Sequence, residues 1–225
     1  SVTGVQTCAL PILFYPRASV FPTIVQNGTG VTTVQAANVT GNELLLKKGM
    51  FALGHSRTNT FNNIRTYPGS GLDMDSASYL RVVGDTADFR GVDTLLHSHG
   101  NTGTLQFYGS PTLRQAYFPS PTQWHYQIHQ NSTDSACTTF VLANGVKTFS
   151  YFYLYTGTLH LGNALNHEVN RFYSRKGGNI SFGNSELKVN NSVAEFDSSE
   201  INYEPGARIH LAYDLGTSYL YGRRD

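Results

Sequence analysis

The chain has 225 residues, a formal net charge of +1 and 14% charged residues, against about 25% in ordinary globular proteins. So balanced a charge excludes electrostatic steering toward nucleic acid and a polybasic membrane patch, and no segment approaches the roughly 18 unbroken apolar residues of a membrane helix. Aromatics reach 12%, and Gly, Ser, Thr and Asn take the polar share that Glu, Lys and Ala would take in a helical protein, so composition points to β structure.

In chain order, Thr32–Val39 alternates loosely and ends at the turn signal Gly41-Asn42. Leu44–Leu53 is apolar except at Lys47-Lys48-Gly49 and stops at Gly54. Tyr79–Val83 is a compact strand closed by Gly84-Asp85. Leu105–Tyr108 and Ala116–Phe118 follow, the latter bounded by Pro119 and Pro121. Trp124–His129 alternates, and Thr138–Leu142 runs into Ala143-Asn144-Gly145, where Asn-Gly is a hairpin signal. Phe149–Leu161 is the most aromatic stretch; Tyr151, Tyr153 and Tyr155 alternate with Phe152 and Leu154, which sets the tyrosines on one face. Asn166–Phe172 is the one window compatible with a helical turn. Short runs at Gly178–Phe182, Glu186–Val189, Ala207–Tyr213 and Ser218–Tyr221 complete the pattern, with glycine punctuation that recurs at irregular spacing. The expectation is an all-β fold: a short-stranded sandwich or barrel, or an intertwined trimeric β fibre with Gly-rich turns.

Residues Val2–Ile12 are identical to a one-frame translation of an adapter oligonucleotide used in short-read DNA sequencing. They are set aside from the fold argument, as tags and fusion scars are, and the expectation is that the true N-terminus is missing. Cys8 goes with them, leaving Cys137 as a lone thiol without a disulfide partner or a zinc-site spacing. The organisation read from the sequence is 1–12 as this non-native segment, 13–41 as an extended lead-in or shaft, 42–130 as one β region and 131–225 as a second β region and candidate tip.

The 42–130 region carries a resemblance. A Leu-rich strand leads into Gly49, Phe51, Leu53 and Gly54. It is followed by Asn62-Asn63-Ile64, Tyr79–Val82, Leu95-Leu96-His97, Leu105-Gln106-Phe107, Ala116-Tyr117-Phe118 and Trp124. In order and type these resemble the distal, receptor-binding part of bacteriophage tail fibres, with one departure: His55 stands where the family carries a second glycine after Gly54. The resemblance implies a homotrimeric adhesin of the virion, extracellular when acting. It would bind a bacterial surface polysaccharide or outer-membrane protein without catalysis and without inserting into a membrane, and three identical sites would add avidity of about 10²–10⁴. The alternative is a free-standing β-sandwich lectin or viral capsid jelly roll.

Candidate receptor-binding residues are the aromatics Tyr108, Tyr117, Trp124, Tyr126, Tyr151, Tyr153 and Tyr155, whose rings join apolar area to a polar tip. For each, packing in the core is the competing reading. His97 and His99 are the metal candidates. On an extended strand their imidazoles share a face, and a threefold axis would gather six nitrogens around a transition-metal ion such as iron or zinc, an arrangement that some tail-fibre tips resemble; the competing reading is a surface turn. The same His-Ser-His, with Glu43 upstream, is similar to the metal motif of JAMM-type metalloproteases, but Leu113 stands where that family needs its aspartate. Asp73, Asp75, Asp85 and Asp88 sit in turn-like contexts and form no acid–base pair on this reading, and no nucleophile elbow or phosphate loop is present.

Overall fold

Short alternating strands broken by glycine can bury their apolar face against a second sheet, or against the other sides of their own coil. The computed structural model takes the second course. It describes residues 12–14, 20–35, 37–74, 77–96, 103–119, 126–197, 200–212 and 219–223.

The chain winds as a parallel β-solenoid whose sides repeat from coil to coil. The first coils run β1 (Ile12–Phe14), β2 (Phe21–Gln26), β3 (Val31–Val34), β4 (Thr40–Leu46), β5 (Gly49–Ala52) and β6 (Thr58–Thr66). The middle coils add β7 (Ser70–Asp73), β8 (Tyr79–Val82), β9 (Thr86–Asp88), β10 (Val92–Leu96), β11 (Thr104–Phe107), β12 (Leu113–Tyr117), β13 (Gln127–Asn131) and β14 (Thr138–Ala143). The last coils are β15 (Lys147–His160), β16 (Asn166–Ser174), β17 (Gly178–Ser181), β18 (Glu186–Asp197), β19 (Ile201–Asn202), β20 (Arg208–Leu211) and β21 (Tyr219–Arg223).

Strands β1, β3, β5, β7 and β10 form a 5-stranded sheet along one side, and the others form a 16-stranded sheet that folds around the remaining sides. Every strand pairing among the described residues is parallel. The all-β, short-stranded, Gly-turned expectation therefore holds, in an arrangement that is neither facing antiparallel sheets nor a jelly roll. One chain supplies to itself the ladder that an intertwined fibre would draw from three.

Two local expectations are corrected. Asn144 and Gly145 do take the left-handed conformation, with φ of 63° each, but the turn rounds a corner between β14 and β15, which pair in parallel as neighbouring coils. Asn166–Phe172 is strand β16, not a helical turn. Its pairing slips between Val169 and Arg171, so its buried positions are unevenly spaced. β-Pairing also runs unbroken across residues 41 and 130, through β2–β4–β6 and β11–β13–β15.

Because each coil sits in register on the last, like residues stack inside. Leu80, Leu105, Ile128, Phe152 and Phe172 occupy one inward column and all are buried. The Phe152 and Phe172 rings stack at 5.7 Å. The strand pairings among the described residues join each coil to its neighbours, as in solenoids. Corners tighten onto one another too: a Cβ on Gly162 would meet the Val141 carbonyl oxygen at 2.3 Å, and one on Gly183 the Gly162 carbonyl oxygen at 2.3 Å. Glycine is needed there for space as well as for its positive φ.

Polar groups inside are tied across coils. Asn59, fully buried, accepts from the Val39 amide at 3.2 Å and donates to the Leu53 carbonyl at 3.0 Å. Arg114 on β12 is wholly buried. It donates to the Gly84 carbonyl at 2.8 Å, to the Thr139 hydroxyl at 3.2 Å and to the Tyr108 carbonyl, joining three coils. Burial pulls its guanidinium down to about 10, against the opposing pull of Cys137 and Asp85. Further along, His167 accepts from the Val146 amide through Nδ1 at 2.9 Å and donates from Nε2 to the Leu161 carbonyl at 2.7 Å. That pattern requires the neutral ring, and burial lowers its pKa to about 4.

Candidate functional site

Outward positions stack by the same register as inward ones. On the side formed by β8, β11, β13, β15, β16 and β18, one outward column runs Arg81, Gln106, His129, Tyr153, Tyr173, Glu195. Tyr151 and Arg171 pair in the neighbouring column. Tyr151, Tyr153 and Tyr155 lie half-buried on this face, opposite Phe152 and Leu154, which point into the core.

The rings form a continuous packed surface. Tyr153 stacks on Tyr173 at 5.1 Å and 13°, and on Tyr155 at 5.6 Å and 11°. His129 meets Tyr153 edge-on at 5.0 Å and Tyr155 at 5.6 Å, while Tyr151 lies 5.8 Å from Tyr153. Arginines border the rings: Arg171 lies 5.3 Å from the Tyr151 centroid and Arg175 5.3 Å from that of Tyr173. Arg175 also pairs with Glu195 at 2.8 Å. Toward the N-terminal coils, Arg81 lies 5.0 Å from the Tyr108 ring and donates to Gln106 at 2.8 Å. Since faces are covered by neighbouring rings and guanidiniums, what turns outward is ring edge, hydroxyl and N–H.

Electrostatics follow from that packing. Desolvation raises the Tyr153 and Tyr155 hydroxyls above their ordinary pKa, with adjacent tyrosines adding to the effect at Tyr153 and Arg175 opposing it at both. Burial lowers His129 to about 4. At neutral pH the face therefore offers uncharged hydroxyls and imidazole beside the Arg171 guanidinium and the Arg175–Glu195 pair.

The aromatic candidates separate into distinct places. Tyr108, Tyr151, Tyr153 and Tyr155 belong to this face. Tyr117 stands on the adjoining side, under the Arg90 guanidinium at 4.2 Å. Tyr126 must be corrected: it is 1% exposed, its hydroxyl accepts from the Met74 amide at 3.5 Å, and burial raises its pKa. It is a core residue with no surface to offer a ligand. Trp124, His97, His99 and Asp75 lie outside the described residues. Among the described residues no three His, Cys, Asp or Glu side chains gather as metal ligands, and Cys137 is a buried free thiol.

Asp88 is also corrected. It is a strand residue in β9, in register with Arg65 below and Tyr117 above, not a solvated turn. Missed from the sequence were His129, Tyr173, Arg171 and Arg175. Their signal is the coil step: side chains 20 residues apart bond directly, as Asn62 does to Asn42 at 2.8 Å, and that same step carries Tyr153 onto Tyr173.

Comparison of the chain with protein-family models, curated proteins and solved structures returned no match.

Proposed function

We propose that the chain is an adhesin segment of the phage tail-fibre type, binding a bacterial surface polysaccharide along the tyrosine–arginine side of the solenoid without cleaving it. The supporting observation is the packed run of His129, Tyr151, Tyr153, Tyr155 and Tyr173 with Arg171 and Arg175 at its border. Tyrosine supplies a large amphipathic contact at small entropic cost, and mutual stacking holds these rings before any ligand arrives, which reduces the ordering cost of binding. A glycan laid along the coil axis meets a row of hydroxyl and guanidinium donors for its oxygens.

Trimeric assembly belongs to the same proposal. The coil satisfies its ladders within one chain, so strand edges give no reason for three chains to intertwine; the reason that remains is avidity from three parallel faces.

The test is adsorption to purified lipopolysaccharides and capsular polysaccharides from a bacterial panel, with sedimentation to report the assembly. We expect retention on at least one polymer, no new reducing ends, and loss of retention in Tyr153→Ala/Tyr173→Ala. Polymer cleavage, or binding indifferent to the double substitution, contradicts the proposal.

A further inference from the structure

A second surface lies where β6, β9 and β12 turn into the next side. Arg65, Tyr67, Asp88, Arg90, Gln115 and Tyr117 line an open groove of about 550 Å³. Its register is fixed by pairing, with Arg65 beside Asp88 and Asp88 beside Tyr117. It shares no residue with the tyrosine face.

The groove's one carboxylate is already engaged, while its guanidiniums keep free donors. Both Asp88 oxygens are taken by Arg90, which reaches Oδ1 through Nε at 2.9 Å and Oδ2 through Nη2 at 2.6 Å, while its own amide also donates to Oδ1 at 3.1 Å. The Gln115 carbonyl oxygen accepts from the Tyr117 hydroxyl at 3.3 Å. The groove's carboxylate and its Gln115 carbonyl are thus both engaged within it. Guanidinium donors remain: Arg65, its side chain 55% exposed, pairs with Glu43 through Nε at 3.4 Å. Its two Nη groups and the Nη1 of Arg90 make no hydrogen bond to other described residues. Tyr67, 46% exposed, walls one end with Pro68.

Unengaged guanidinium N–H groups suit an anionic acceptor, and a planar guanidinium matches a carboxylate with two parallel bonds. We propose that this groove binds the carboxylate of an acidic sugar unit, with Arg65 as the primary ligand, Arg90 held in place by Asp88 as the second, and Tyr67 against the sugar ring. The inference rests on the chain being a glycan binder, but not on the tyrosine face being the place where it binds. Neutral sugars fit less well, because a hydroxyl meets the guanidiniums without the charge and the paired acceptors of a carboxylate.

The experiment compares alginate, polygalacturonate and hyaluronan with their carboxyl-reduced forms, using the whole chain, Arg65→Ala, Arg175→Ala and Tyr153→Ala, with thermal unfolding followed for each. The expected result is a preference of about tenfold or more for acidic over reduced polymer, weakening with added salt. Arg65→Ala should remove the preference at unchanged unfolding temperature. Arg175→Ala and Tyr153→Ala should keep it, even where Tyr153→Ala lowers retention on surface polysaccharide. Equal affinity for acidic and reduced forms across all three polymers, or a preference that survives Arg65→Ala, overturns the assignment. Failure of the general reading looks different: loss of retention on every bacterial polysaccharide, whatever its charge.

Discussion

The coils that carry the groove and the coils that carry the tyrosine face meet the same interior problem with groups of opposite character. A solenoid corner leaves carbonyls facing inward that no ladder satisfies. In the groove half Arg114 fills that role, bonding to the carbonyls of Gly84 and Tyr108 with a guanidinium that stays charged through the physiological range even after burial has lowered it to about 10. In the tyrosine half His167 does so as a neutral ring, held between the Val146 amide and the Leu161 carbonyl. One staple is indifferent to acid and the other is not. The two outer surfaces thus rest on supports that can be removed separately.

Removing Arg114 should have the largest effect. Arg114→Ala leaves buried carbonyls unsatisfied and opens a cavity across three coils, at a cost of about 3 kcal/mol or more. Denaturant unfolding should show this loss at every pH, with recognition of acidic polymer lost alongside it. A loss below about 1 kcal/mol would mean that water replaces the guanidinium readily and that the contrast between the halves is superficial.

Acid should act on the other half. His167 has its folded pKa lowered from the ordinary 6.5 to about 4, so the unfolded chain binds the proton more readily than the folded one. Its neutral state is fully accommodated above about pH 6.5, and stability falls as pH drops from there toward 4, by roughly 3 kcal/mol from this one residue. His160 on β15, also lowered by burial, and His129 on β13 in the adjoining coil, lowered to about 4, act in the same direction. Hydrogen exchange between pH 7 and pH 4.5 should show β15–β17 opening while β6, β9 and β12 stay protected. Uniform loss along the coil would show that the halves unfold as one unit.

How much of this was legible in the sequence depends on whether the coil step is regular. The alternation of Tyr151, Tyr153 and Tyr155 against Phe152 and Leu154 marks a two-faced strand whatever the fold, and the Lys47-Lys48-Gly49 interruption marks a corner, where Gly49 takes a φ of 77°. The repeat itself was hidden. Coils bonded 20 residues apart at Asn38 and Thr58 give way to steps of 25 between Arg81 and Gln106 and 26 between Phe118 and Asn144, so no fixed period survives along the chain. In β16 the register slip after Val169 places the next buried aromatic, Phe172, three residues on, a spacing that imitates a helix. The groove was out of reach because Arg65, Asp88 and Tyr117 come from three successive coils and meet only through pairing; alone, Asp88 near a glycine reads as a turn residue.

The central claim, that the tyrosine side is the binding surface, is tested most directly by tyrosine footprinting. The chain is nitrated with tetranitromethane in the presence and absence of a retained bacterial polysaccharide, and each site is quantified by mass spectrometry. The account predicts protection of Tyr151, Tyr153, Tyr155 and Tyr173, no change at Tyr203, which is 76% exposed and outside that ring cluster, and no nitration of buried Tyr126 in either state. Protection centred elsewhere, with Tyr153 and Tyr173 modified equally in both samples, would contradict it.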